Sequence, residues 1–186
     1  MAKLKKGEPA QAAEAKIAQT GGVPSYFVSY STGERQVELF VECLEKVFGK
    51  YFEMHRTPSV LKVGESQHDE ILELIGKCAF GVVCLDGLRP NVVFENGAMR
   101  GAKVPVLVFK ESSASVDIGH FFDGVVDLAL KAPRIDLDKH FSDTKDRFYA
   151  TWSRYEIEKT LKTIWEAYDK SCAGSSSYVK IPEPKL

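Results

Sequence analysis

The sequence lacks any apolar run close to the ~20 residues that a membrane-spanning helix needs. It also lacks an excess of charge of either sign. The 25 Lys and Arg side chains meet 26 Asp and Glu for a net charge of −1, which gives no electrostatic footing for nucleic acid or an anionic membrane surface. Cysteine is scarce. Cys43, Cys78, Cys84 and Cys172 show no paired short spacing, so neither a structural zinc site nor a disulfide framework is expected. Three of them sit inside apolar periodic segments, as small buried hydrophobes do. His55, His120 and His140 have no metal-like spacing, and no metal is expected. Neither GxGxxG nor GxxxxGK[ST] occurs, which removes the usual Rossmann cofactor and P-loop readings. Lys3, Lys5 and Lys6 have no apolar block behind them, so no secretory signal is expected. No internal repeat is visible. A reduced cytoplasmic protein with no resident cofactor, no nucleic-acid partner and no membrane partner is the simplest expectation.

What is present suits one α/β domain. The chain has 186 residues and 44% of them are hydrophobic, enough for one sizeable core. Residues 1–22 are rich in Ala, Gln and Lys and end in Gly21-Gly22, which predicts a flexible amino-terminal tail. Residues 23–171 form the expected domain, and 172–186, with Ser175 to Ser177 and two prolines, a disordered carboxy-terminal tail. A first strand is expected at Tyr26 to Tyr30, closed by the turn Ser31-Thr32-Gly33. A helix from about Glu34 to Gly49 follows, with Val37, Phe40, Val41, Leu44, Val47 and Phe48 on one stripe. Tyr51 to His55 is a short second strand. Ser66 caps a helix whose buried stripe is Ile71, Leu74, Ile75 and Cys78. Beyond Phe109 the pattern weakens. Phe121 to Leu130 can supply one more strand, and a long helix is expected from about Thr144 to Ser171, with Phe148, Trp152 and Tyr155 on one stripe.

The centre of the chain is the stretch Phe80 to Phe109. An apolar run to Leu85, a turn at Asp86 to Asn91, an apolar segment Val92 to Ala102 at helical spacing and a second run, Val104 to Phe109, read as a parallel βαβ unit. The alternation of elements predicts a three-layer, flavodoxin-like fold, with a mostly parallel sheet of about five strands and an extra carboxy-terminal helix. Ligands of such folds bind at the carboxyl ends of the strands. Glu95, a carboxylate among Val92, Val93, Phe94, Gly97 and Ala98, stands out there. It is either an ordinary helix residue or a group that hydrogen-bonds ribose hydroxyls, steadies an oxocarbenium-like centre or attacks it in cleavage of an N-glycosidic bond. Asn91, close to one turn earlier, can face the same cleft. Asp86, Arg89 and Asn91 are turn formers. As ligand contacts, Arg89 would meet a phosphate and Asp86 a ribose or base edge. Tyr30, Ser31, Thr32 and Gly33 are a helix cap or a place where backbone N–H groups meet a pyrophosphate.

Three segments resemble a known family. Tyr26-Phe27-Val28-Ser29-Tyr30-Ser31 resembles the opening strand and loop of Toll/interleukin-1 receptor (TIR) domains, and Gly64-Glu65-Ser66 with Asp69, Ile71 and Ile75 is similar to the segment after their central loop. Arg89-Pro90-Asn91-Val92-Val93-Phe94-Glu95-Asn96-Gly97 resembles the Asn-Val-x-Phe-Glu-x-Gly motif of the prokaryotic TIR-like nucleotide-binding branch. The resemblance covers about Ser25 to Phe109. It implies a flavodoxin-like fold, NAD⁺ as substrate, cleavage to nicotinamide and ADP-ribose or a cyclic variant, self-association, and a role in antiviral defence or signalling. The family's catalytic glutamate maps onto Glu95. Its ribose and phosphate pocket maps onto Tyr30, Ser31 and the loop near Arg89. A scaffold or nucleotide sensor without catalysis is the alternative. The same stretch is also similar to nucleoside 2-deoxyribosyltransferases, which break an N-glycosidic bond with a glutamate nucleophile.

Overall fold

The computed structural model describes residues 22–33, 35–56, 67–86, 89–112, 116–117, 134–135 and 149–184. In chain order the elements are β1 (Ser25–Ser29), α1 (Arg35–Phe48), β2 (Glu53–Arg56), α2 (Gln67–Lys77), β3 (Phe80–Cys84), α3 (Pro90–Gly101), β4 (Val106–Glu111), β5 (Val116–Asp117), β6 (Arg134–Ile135), β7 (Ala150–Trp152) and α4 (Ile157–Cys172). The main sheet has five strands in the order β2-β1-β3-β4-β7. Every pairing in it is parallel. This is the flavodoxin-like α/β arrangement that the alternation predicts, with α4 as its carboxy-terminal helix. β5 and β6 pair antiparallel in a separate ladder.

The three layers follow from the period of the strands. In β1, Tyr26 and Val28 enter one core and Phe27 the other. The first core lies under α1 and α4. It is strongly aromatic: Tyr26 stacks on Phe80 with centroids 5.1 Å apart, and Phe48, Phe52 and Tyr168 close around them. The whole expected stripe of α1 is buried there, joined by Cys43. The second core is aliphatic and lies under α2 and α3. It contains Phe27, Ile71, Ile75, Val83, Leu85, Val92, Met99 and Val108. Gly81 brings α3 close to β3, because a Cβ at that position would lie 1.9 Å from Met99 Sδ. All four cysteines are buried and unbridged. Among the described residues, no helix is long and apolar enough to cross a membrane.

Two expectations at the carboxy-terminal end are overturned. The long helix from Thr144 does not form over its first described part, since Ala150–Trp152 is strand β7, paired with Phe109 to Glu111 of β4. The helical stripe placed Tyr155 inside, yet it is 83% exposed. The open edge of β4 and a buried acceptor for the Trp152 indole outweigh a local periodicity that fits either element over so few residues. The expected disordered tail is also packed as far as it is described. Val179 and Ile181 are buried in the aromatic core. The Tyr168 hydroxyl donates to the Val179 carbonyl at 2.8 Å and accepts from its N–H at 3.1 Å. The Trp165 indole donates to the Ile181 carbonyl at 3.2 Å. Ser66, the segments 1–21, 118–133 and 136–148, and with them the expected strand around Phe121 to Leu130, lie outside the described residues.

A packed carboxy-terminal segment has a measurable consequence. Ile181→Ala removes a buried side chain and is expected to lower the unfolding free energy by about 2–4 kcal/mol in urea titrations. A disordered segment would show no change.

Candidate active site

The chain leaves β1 towards β2 on one side and later adds β3, β4 and β7 on the other. The strand order therefore reverses between β1 and β3, and the crevice beyond their carboxyl ends is where ligands of open α/β sheets bind. Residues from β1, the turn after β3 and α3 meet at this end.

α3 starts at Pro90, which suits the first helical position because its missing N–H would have no helical partner there. Arg89 precedes it in extended conformation. Its carbonyl accepts from the Val92 and Val93 N–H groups. The inward side of α3 is Val92, Glu95 and Met99, at spacing i, i+3 and i+7. Val92 and Met99 enter the aliphatic core. Glu95 takes the same face and is only 1% exposed, whereas Val93 and Phe94 face outward. The helical period thus carries a carboxylate inside, over β1 and β3, on which α3 packs.

The other expected site residues divide between the two faces of the sheet. Tyr30 is buried on the α1 side, where its hydroxyl accepts from Arg56 Nη1 at 3.3 Å. Ser31 is buried, and Thr32 is exposed in the turn completed by Gly33, whose φ of +90° suits glycine. Arg89 is half-buried and Asn91 exposed. Asn91 therefore does not share the inward face of Glu95. Residues 87–88 of the connecting turn, like 57–66 after β2, lie outside the described residues.

Asp86 is placed differently from a ligand contact. It is 2% exposed, and its carboxylate accepts from three donors. These are the Trp152 indole N–H at 2.8 Å, the Glu111 N–H at 3.0 Å and the Cys84 thiol at 3.1 Å. They tie together the ends of β3, β4 and β7. Burial raises the Asp86 pKa above the usual carboxylate range, although all three hydrogen bonds oppose that shift. Burial, followed by the charge of Asp86, pushes the Cys84 thiol well above its ordinary value. Beside them, the buried Glu111 carboxylate takes the Arg154 guanidinium in a two-pronged contact, with Nη2 at 2.6 Å from Oε2.

Three features of this end escape a reading of the sequence for motifs. Ser29 is 1% exposed, like the Ser31 already singled out in the sequence, and neither Oγ has a hydrogen-bond partner among the described residues. Lys110 is 7% exposed, with its ammonium 5.7 Å from the Tyr149 ring centre. It alternates with Val108 along β4, which puts it on the aliphatic-core face. Glu111 and Arg154 form the third. The period-2 pattern Phe27, Ser29, Ser31, and the charged pair Lys110-Glu111 ending a buried strand, were the available signals. Among the described residues no cluster of His, Cys, Asp and Glu could hold a metal ion. The chain matches no protein-family model and no curated protein.

The position of Asp86 predicts its pH behaviour. Between the usual carboxylate range and its raised folded value, the native state keeps a proton that the unfolded chain has released, so this group's contribution to stability falls as pH rises. Asp86→Asn does not titrate and cannot present two acceptor oxygens to the Trp152 and Glu111 N–H groups. It is expected to cost about 1–3 kcal/mol. Urea unfolding should show the wild-type advantage shrinking as pH rises above the usual carboxylate range. An advantage that grows over that interval would contradict the assignment.

Proposed function

We propose that this protein binds NAD⁺ and cleaves its nicotinamide N-glycosidic bond at Glu95. The observation that carries the reading is the burial of the Glu95 carboxylate on the inward face of α3, at the sheet's topological switch point. The likeness of the segment Arg89 to Gly97 to the TIR-like nucleotide-binding motif supports it. In this reaction the C1′–N bond breaks and its electron pair goes to the ring nitrogen, which releases neutral nicotinamide. Positive charge develops on the ribosyl C1′ and O4′. A carboxylate in a water-poor setting stabilises that charge far better than one in bulk solvent, by hydrogen bonds to the ribose hydroxyls or by transient attack on C1′. Water, or the adenine of the same molecule, then bonds to C1′ to give ADP-ribose or its cyclic form. Water gives up its proton in doing so. Because nicotinamide leaves readily, no strong general acid is required. Lys110 adds positive charge on the same sheet face, a suitable complement to phosphates. Asp86 acts here as a support that holds the strand ends and not as a ligand contact. The biological setting proposed with this chemistry is antiviral defence or signalling.

The test is nicotinamide release from NAD⁺ by concentrated protein, with Glu95→Gln alongside. The variant is expected to lose at least about 10²-fold in turnover while keeping the wild-type circular dichroism spectrum. Undiminished release would remove Glu95 from the chemistry.

Self-association is a second reading, favoured by the exposed apolar residues Leu72 of α2 and Val93 and Phe94 of α3. His68 lies edge-on to Phe94 with ring centres 4.8 Å apart, which joins the two helices in one surface. Leu72→Glu is expected to shift the sedimentation profile towards monomer. An unchanged profile would place any assembly elsewhere.

A further inference from the structure

We propose that Tyr155, backed by Arg154, is the platform on which the adenine of the dinucleotide stacks, so that the intact dinucleotide is favoured over its nicotinamide half. The inference rests on the N-glycosidic reading of Glu95 and assigns the residues that hold the other end of the substrate. A single exposed ring is ordinary on a protein surface. Tyr155, 83% exposed, differs because it stands on a fixed turn at the carboxyl end of the sheet. Residues 153–156 lead from β7 into α4. The Ser153 N–H donates to Thr160 Oγ1 at 3.0 Å, and that hydroxyl donates to the Ser153 carbonyl at 2.9 Å. The Tyr155 N–H donates to Ser153 Oγ and the Glu156 N–H to the Ser153 carbonyl, both at 3.3 Å. Thr160 is buried, so the turn is anchored in the body of the domain. Arg154 reaches from the turn to the end of β4, where Nε and Nη2 donate to the Glu111 carboxylate. Its guanidinium lies over the Tyr155 ring, with Cζ 5.7 Å from the ring centre. Glu111 fixes the plane of that group, and Nη1 donates to no described residue.

An aromatic face beside a guanidinium N–H suits a purine nucleotide. The ring keeps one face towards Arg154, and its exposure leaves the other open to a base, whose π-face stacks on aromatic side chains. The Nη1 hydrogens can meet a phosphate oxygen of the same nucleotide. The position fits the span of the substrate. Neighbouring strands lie about 4.8 Å apart, and β7 is two strands beyond β3. That places the platform roughly 10 Å to the side of the crevice over which Glu95 lies. A single nicotinamide nucleoside does not bridge that distance, whereas two nucleosides joined by a diphosphate do. The turn is held from behind by Thr160 and the Glu111 pair, so the ring is presented without a large ordering cost on binding.

Tyr155→Ala and Tyr155→Trp in the full chain give the test, with AMP as calorimetric probe and NAD⁺ and nicotinamide mononucleotide as substrates. Because the ring is exposed, both variants are expected to melt within about 1–2 °C of wild type. Tyr155→Ala is expected to bind AMP about tenfold more weakly. Its KM for NAD⁺ should rise about tenfold with kcat kept. Tyr155→Trp, which keeps a stacking face, should match wild type in both. Nicotinamide mononucleotide lacks the adenylate, so its cleavage should be the same in all three proteins. An unchanged AMP affinity in Tyr155→Ala, a wild type that binds no AMP, or an equal loss on both substrates would overturn the proposal. So would a Tyr155→Trp variant as impaired as Tyr155→Ala. Unchanged AMP binding with nicotinamide release kept would leave the Glu95 reading in place. Weakened AMP binding in a protein whose wild type releases no nicotinamide would uphold the platform and remove the glycohydrolase reading.

Discussion

The carboxyl end of the sheet depends on the buried Asp86 carboxylate. A carboxylate withdrawn from water is costly unless donors surround it. Here they come from the Cys84 side chain, the Glu111 backbone and the Trp152 indole. Those donors belong to β3, β4 and β7, so one side chain fixes three strand ends relative to one another. It also helps to recruit the short β7 as a strand. Three hydrogen bonds converge on this one group, which is why so short an edge element can be held. The Glu111 and Arg154 contact closes the same end from outside.

That support occupies only one face. Asp86 and Cys84 belong with Trp152 and the aromatic core, while Leu85 between them enters the aliphatic core. Tyr30 and Ser29 divide in the same way. Alternation along each strand therefore separates the supporting groups from those suited to chemistry, although they are immediate neighbours in the chain. The α1 and α4 face is closed by rings and paired ions. The α3 face carries Glu95, Ser29 and Lys110, polar groups at the border of an aliphatic layer. For the proposed cleavage, a site that is firm behind and polar in front would hold the reacting atoms in place.

Much of this was legible in the residues. The stripe of α1, the βαβ unit of Phe80 to Phe109 and the parallel sheet follow from apolar spacing and turn residues, because short-range periodicity decides which side of an element can be buried. The oddity of Glu95 was equally plain, since a carboxylate on an apolar helical stripe is unusual whatever lies opposite. Motif reading did less well with Asp86. An Asp-Gly pair looks like turn chemistry in any protein. Its partners lie 25 and 66 residues away in the chain.

The remaining division is between information carried locally and information carried by neighbours. Strand and helix identity from β1 to β4 came from spacing along the chain. The fate of Ala150 to Trp152 and of Val179 to Ile181 did not. Their local patterns are short and ambiguous, and each was settled by a surface made elsewhere: the free edge of β4 in one case, the aromatic core and the Tyr168 hydroxyl in the other. The same holds for Ser29 of β1. Its hydroxyl is ordinary in sequence, and only the packed sheet and helices enclose it. Burial is a property of the whole packed chain, so no window of sequence short enough to show a motif can report it.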